Sequence, residues 1–166
     1  MRPRSLLILL LCLCCLGMGK KQPTLSIRFY TQTSQQDTDS FAAPVTLLNG
    51  QQTYIDQIAS ISDRDIVAVY PFPVADGSGG CAFKLDDHGQ IALDSLSVEK
   101  RGTLLIATIG SRQVSDILID QRVSDGVLTI PSGINTDEMK QILAKFPVMG
   151  AKKRQPKKKD IYSVGL

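Results

Sequence analysis

A chain of 166 residues with 43% hydrophobic and 21% charged residues has the length and composition of one globular domain. Trp is absent and aromatic residues make up 5%, so the core has to be built from Leu, Ile and Val. Residues 20–150 hold eleven basic and fifteen acidic residues, a net charge of −4, which argues against a basic face for nucleic acid.

The first nineteen residues have the pattern of a secretory signal peptide. Arg2 and Arg4 precede an apolar run, residues 6–16, that is too short to span a bilayer but suits a signal-peptide core. Gly17 and Gly19 are small enough for a cleavage site, and we expect cleavage after Gly19. The sequence therefore predicts export to the periplasm or cell envelope, or secretion. A membrane anchor retained at the N-terminus is the alternative.

The four cysteines do not form a disulfide framework. Cys12, Cys14 and Cys15 would leave with the signal peptide. Lipidation of one of them is poorly supported, because none follows the small residue that a lipobox requires. Cys81 is then a lone thiol, and its place at the start of an apolar strand predicts burial.

Residues 151–166 form a basic tail. Its positive charges are Lys152, Lys153, Arg154, Lys157, Lys158 and Lys159, against the single acid Asp160. We expect a disordered, solvated tail, as is usual for a block of like charges. The functional alternative is loose attachment to anionic lipid or an acidic wall polymer. Because the N-terminal signal predicts export, the tail is not expected to act as a nuclear signal or to bind nucleic acid.

Residues 20–62 give one clear element. Residues 24–30 alternate, with Leu25, Ile27 and Phe29 on one face, which predicts a strand with one face covered. Residues 31–40 are polar and predict a loop. The following segment up to Ile61 contains an Asn49-Gly50 turn but is otherwise ambiguous between strand and helix, so this region is an irregular lead-in.

Residues 62–85 predict a turn, a strand and a hairpin. Residues 62–65 resemble a short capped turn, and the β-branched run 66–72 reads as a strand. Pro71 and Pro73 place that strand at a sheet edge. The Gly-rich segment 76–80 leads into a strand rather than a helix, so a hairpin is favoured over a phosphate-binding loop.

The remaining chain predicts two helices and three strands. Asp86 or Asp87 caps a helix that ends before Gly102 and buries Ala92, Leu93 and Leu96. The strands are 103–109, buried on both faces, then 113–123 after a Gly110-Ser111 turn, and 127–130 after an Asp125-Gly126 turn. The last helix starts at a capping box of Asn135 and Glu138, and its apolar stripe is Met139, Ile142, Leu143 and Phe146.

These elements predict an α+β fold: one mixed or antiparallel sheet of five or six strands, with two helices packed on one face. The folded domain is expected to span residues 63–147.

Catalytic signals are weak. Asp86, Asp87 and the only histidine, His88, could begin a metal site, but Asp94 and Glu99 lie on different helix faces and a zinc site needs three or four ligands. Cys81 and His88 could form a nucleophile pair, although no third residue orients them. We predict no enzyme activity, no catalytic residue, no metal and no cofactor. A small envelope hydrolase or metal-binding protein that uses Cys81 and His88 is the alternative.

The order of turns, strands and capped helix from residue 83 to residue 146 resembles the head subdomain of the first periplasmic loop of SecD, a partner of the bacterial Sec translocon. The matching features are Phe83, Leu85, Gly89, Leu96, Ser97, Gly102, Leu105, Ile106, Gly110, Val114, Ile119, Val123, Gly126, Ile130, Gly133 and Glu138. Residues 61–66 resemble the segment that leads into that subdomain.

The resemblance implies the fold, an envelope location and a surface that contacts another polypeptide. SecD has six membrane spans and couples proton flow to movement of the head, whereas this sequence has no apolar span after Gly19. A proton-driven motor is therefore not expected. The head subdomain has no catalytic residues, and none is carried over. The partner expected is an envelope protein that the sequence does not identify.

Overall fold

The computed structural model describes residues 25–34 and 42–150, and these form nine strands and two helices. The strands are β1 (Ile27–Thr33), β2 (Ala42–Thr46), β3 (Gln52–Asp56), β4 (Ile61–Ser62), β5 (Ile66–Pro73), β6 (Gly79–Leu85), β7 (Leu104–Ile109), β8 (Arg112–Leu118) and β9 (Val127–Ile134). The helices are α1 (Asp87–Glu99) and α2 (Thr136–Lys145). The predicted signal peptide and basic tail lie outside the described residues.

The larger sheet has six strands and is antiparallel at every pairing. Its order is β2-β3-β1-β7-β8, with β4 also paired to β1. β7 is central because β1 and β8 flank it, and this explains its near-continuous burial. The expectation of an α+β fold with a sheet of five or six strands is confirmed.

The other three strands form a second antiparallel sheet in the order β5-β6-β9. β5 is an edge strand, as its two prolines predicted. β5 and β6 form the hairpin expected at the Gly-rich segment, where the amide of Val74 donates to the carbonyl of Ser78 at 3.1 Å.

One hydrophobic core joins the two sheets. Phe29 on β1 and Phe83 on β6 are fully buried, and their rings meet edge to face with centroids 6.0 Å apart. Leu93 and Leu96 of α1, Ile142 of α2 and Phe146, which follows α2, enter the same core. α1 contacts β4 and β6, and α2 contacts β5. None of the helices in residues 25–34 and 42–150 is long and apolar enough to cross a membrane.

Both helices begin at the predicted caps. The Asp86 carboxylate accepts a hydrogen bond from the amide of Gly89 at 2.8 Å. Asn135 accepts from the amide of Glu138 at 2.8 Å, and the Glu138 side chain accepts from the amide of Asn135 at 3.0 Å, which completes the capping box. α1 ends at Glu99, before Lys100 and Gly102.

Several strands differ from the sequence prediction. β9 runs to Ile134 rather than to residue 130. β1 continues to Thr33, beyond the predicted loop start, because β3 and β7 pair with it on its two sides. The ambiguous lead-in forms the β2–β3 hairpin and the short β4. β8 ends at Leu118 rather than at residue 123, because side chains on or next to α1 hold the backbone that follows: Arg101 donates to the carbonyl of Asp120, and Ser97 accepts from the amide of Val123.

Candidate binding surfaces

Cys81 does not have the environment of a nucleophile. Its side chain is completely buried on β6, among the core residues. Burial raises the pKa of the Cys81 thiol to about 11, so almost none of it is thiolate at neutral pH. The predicted burial is confirmed, and the alternative of a Cys81–His88 hydrolase is not favoured.

His88 interacts with a carboxylate that the sequence analysis did not single out. Its side chain is 82% exposed, and Nδ1 lies 3.0 Å from Oδ1 of Asp65. Asp65 closes the predicted turn, because its other oxygen accepts hydrogen bonds from the amide and hydroxyl of Ser62 at 2.8 and 3.0 Å. In the sequence, the only signal for the role of Asp65 was its spacing from Ser62, which is typical of a capped turn.

Ligand atoms of Asp65, Asp86 and His88 lie within 4.8 Å of one another. The two carboxylates already have structural roles, because Asp86 caps α1 and Asp65 holds the turn before β5. Burial acts to raise the pKa of Asp65, but hydrogen bonds from Ser62 and His88 outweigh it and the pKa is lowered. The cluster joins the turn to the helix start, and this accounts for its geometry without a metal.

The other candidate acids do not converge on this cluster. Asp94 forms a bidentate ion pair with Arg122, with distances of 2.6 and 2.8 Å. Glu99 accepts a hydrogen bond from Ser95 at 2.7 Å. Asp87 lies in the first turn of α1, where it lines a surface cavity with Gln90, Ile91, Asp94 and Ser124. These contacts hold α1 and its surroundings together.

An apolar groove of about 420 Å³ lies between the end of the β5–β6 hairpin and α2. We call it the apolar groove, and its lining is Pro71, Phe72, Pro73, Gly77, Ser78, Gly79, Thr136, Met139, Lys140 and Leu143. Met139 and Leu143 belong to the helix stripe that was predicted as core. Ile142 of that stripe is fully buried, whereas Leu143 is 39% exposed at the groove.

The outer edge of β5 is protected from strand pairing. The amide of Val69 donates to the carbonyl of Pro147 at 2.9 Å, and the amide of Met149 donates to the carbonyl of Val69 at 2.8 Å. Pro71 and Pro73 share the outward backbone orientation of Val69, because N–H directions alternate along a strand. Neither proline has an N–H, so this edge has no donor beside the groove. A partner in the groove would therefore contact side chains rather than extend the sheet.

A second groove, of about 540 Å³, lies where β1, the turn before β5 and the end of α2 meet. We call it the cationic groove, and its lining is Leu25, Ser26, Arg28, Tyr30, Gln57, Ile58, Ala59, Ser62, Asp63, Arg64 and Lys145. Among the described residues, its lining contains three basic side chains and one acidic side chain. Lys145 donates to Asp63 and to the carbonyl of Leu25. No local sequence pattern predicted this groove, because its lining comes from three distant parts of the chain.

The predicted tail cations, Lys152, Lys153, Arg154, Lys157, Lys158 and Lys159, lie outside the described residues, and their role stays a prediction.

Comparison with solved structures identifies the fold. The super-membrane-facing form of SecDF matches with a TM-score of 0.51 and 10% sequence identity over 76% of this chain and 19% of that chain. A second SecDF structure, described as a membrane component that enhances protein export, matches with a TM-score of 0.52 and 10% identity over 76% of this chain and 64% of that chain. No protein-family model and no curated protein matches the sequence.

The described domain therefore has a SecD-like fold, as the sequence resemblance implied. The chain spans less than two thirds of either SecDF chain, and at 10% identity the likeness concerns the fold alone.

Proposed function

We propose that this protein is an exported, non-catalytic domain of the cell envelope that binds a polypeptide partner through the apolar groove. The observation that carries the proposal is this groove, in which Phe72, Met139 and Leu143 offer apolar surface beside a strand edge without free donors. Partly exposed apolar surface in a concave site is typical of binding sites.

The SecD-like fold supports the location and the kind of partner. One of the matching structures is a SecDF component that enhances protein export. A domain of the same fold with an apolar groove is suited to hold an extended polypeptide segment by its side chains. The expected occupant is an extended segment rich in aliphatic residues, and its binding needs no metal or cofactor.

The absence of catalytic activity is part of the proposal. The buried, protonated Cys81 and the exposed His88 do not form a nucleophile pair, and Asp65 and Asp86 support the turn and the helix cap. These observations argue against a hydrolase or a metal-binding protein centred on Cys81 and His88.

The test is fluorescence anisotropy with a short labelled peptide rich in Leu and Val, and with a second peptide in which Gln replaces these residues. Leu143→Glu places a charge in the groove and should weaken binding of the apolar peptide at least about tenfold. Val98→Glu is the matched control, because Val98 is an exposed apolar residue near the end of the other helix and does not line the groove. Equal affinity of Leu143→Glu and wild type, or equal binding of both peptides by wild type, would refute the proposal.

A further inference from the structure

The cationic groove contrasts with the charge of the domain around it. Residues 20–150 carry a net charge of −4, whereas the part of the groove lining that the structure describes holds Arg28, Arg64 and Lys145 and one acid, Asp63. Since Lys145 is paired with Asp63, the two arginines account for the excess positive charge.

Arg28 and Arg64 differ from the other arginines in residues 25–34 and 42–150. Arg112 and Arg122 donate to carboxylates, and Arg101 donates to a carbonyl. The Arg28 guanidinium donates to the hydroxyl of Tyr30 at 3.5 Å and is influenced by the negative charge of Asp63, with which it forms no ion pair. The Arg64 side chain has no hydrogen bond or ion pair with the described residues. Most of their N–H donors are therefore available to a ligand.

The groove also offers apolar contact. Ile58 is 78% exposed on its wall, and Tyr30 presents a partly buried ring beside Arg28. A guanidinium matches a carboxylate in geometry, because two parallel N–H groups can donate to its two oxygens. Carboxylates interspersed with aliphatic side chains would satisfy both features of the lining.

The acidic body favours a narrow ligand over an extended anionic surface. Charges interact over about 8 Å at physiological ionic strength, so a peptide in the groove is affected mainly by the local cations. A membrane surface or a nucleic acid would also face the rest of a domain whose residues 20–150 carry a net charge of −4, and this charge opposes its approach.

We propose that the cationic groove binds an acidic polypeptide segment, with Arg28 and Arg64 pairing its carboxylates and Ile58 contacting an aliphatic side chain between them. This inference deepens the proposed function, on which it rests, by adding a second site and the charge of the sequence that the site selects.

The experiment measures anisotropy of a labelled peptide in which Glu alternates with Val, using the full chain. The double variant Arg28→Gln/Arg64→Gln should bind about tenfold more weakly than wild type. Lys84→Gln/Lys100→Gln removes the same charge outside the groove and should stay within about twofold of wild type. The single variant Arg64→Gln should lose part of the peptide affinity. This substitution should not disturb folding, because the Arg64 side chain makes no hydrogen bond or ion pair with the described residues.

The contrary results are distinct. Equal weakening in both double variants would show that only net charge matters, and unchanged binding in the groove variant would show that the arginines do not bind the peptide. Either result overturns the proposal. The proposal also fails if the Glu–Val peptide does not bind and the two arginines are instead needed for binding to vesicles of anionic lipid or for association between copies of the protein. If the Leu- and Val-rich peptide still binds and Leu143→Glu still weakens that binding about tenfold, the proposed function stands while this inference fails.

Discussion

The ring of Phe72 on β5 lies over Gly80 on β6, in the space that a side chain at Gly80 would need. A Cβ at Gly80 would collide with the edge of that ring and would lie 2.6 Å from the carbonyl oxygen of Pro131. Phe72 also lines the apolar groove. Because Gly80 leaves room for its ring, the glycine fixes the position of an aromatic side chain in the proposed binding surface.

Gly80→Ala should therefore destabilise the domain by about 1–3 kcal/mol, the usual cost of overpacking. Urea denaturation followed by circular dichroism measures the change. In a Phe72→Leu background, Gly80→Ala should reduce the free energy of unfolding by less. The clash with the aromatic ring is then removed, whereas the close contact with the Pro131 carbonyl remains. A free energy of unfolding equal to that of wild type would contradict this account.

Asn135→Ala should cost about 1 kcal/mol, because it removes the acceptor for the Glu138 amide at the start of α2. Asp137→Ala is the control on the same helix turn. It removes an exposed ion pair with Lys140 and a negative charge near the helix start, each worth less than the cap, and should cost less. Thermal and urea unfolding of the two variants would check the ranking. A larger effect at Asp137 would show that the capping box is unimportant.

Glu138 should contribute to acid sensitivity. Burial acts to raise its pKa, but hydrogen bonds from Arg112 and Asn135 and the positive charge of Arg112 outweigh burial, so the pKa of Glu138 is lowered from 4.5. A lowered pKa in the folded state gives stability that is present above the unfolded pKa and is lost as pH falls through the folded pKa. The free energy of unfolding of wild type should decline as the pH falls below about 5.

Glu138→Gln should reduce that decline, measured as urea midpoints from pH 7 to pH 3. Asp65, Asp76 and Asp94 also have lowered pKa values, so part of the decline should remain. Glu99→Gln is the matched control, because the Glu99 carboxylate accepts only from Ser95 and forms no ion pair with the rest of the described chain. Identical pH profiles for Glu138→Gln and wild type would exclude the proposed contribution.

Cys81 should react slowly with alkylating reagents in the folded protein. A pKa of about 11 in place of 9.0 lowers the thiolate fraction at neutral pH on the order of 100-fold, and burial blocks access as well. Mass spectrometry of iodoacetamide-treated protein, folded and in urea, measures the difference. His88→Ala should leave the native rate unchanged; a slower rate in that variant would revive the hydrolase alternative.

Removal of residues 151–166 tests the tail hypothesis. If the tail cations bind anionic lipid, each adds about 1 kcal/mol near a charged surface, and deletion should abolish salt-sensitive sedimentation with anionic vesicles. Replacement of the six tail cations by Gln should have the same effect without shortening the chain. Sedimentation that neither change reduces would rule out envelope attachment through the tail.

Local chemistry made much of this fold predictable. The caps at Asp86 and Asn135, the turn at Gly110 and the prolines of β5 each act within a few residues, so the sequence identified both helices and most strands between residues 66 and 146. The order of these local signals was also sufficient to predict the SecD-like fold.

The partners of β1 and the two grooves depend on contacts between distant residues. β1 pairs with β7, and Ile27 lies opposite Ile109, a separation that no local pattern reports. The cationic groove combines Arg28, Arg64 and Lys145 only because β1, the turn before β5 and the end of α2 converge. Alternation, caps and turns are properties of neighbouring residues and could be predicted from the chain alone. Sheet order and surface charge arise from long-range packing, so only the tertiary structure determined where a partner could bind.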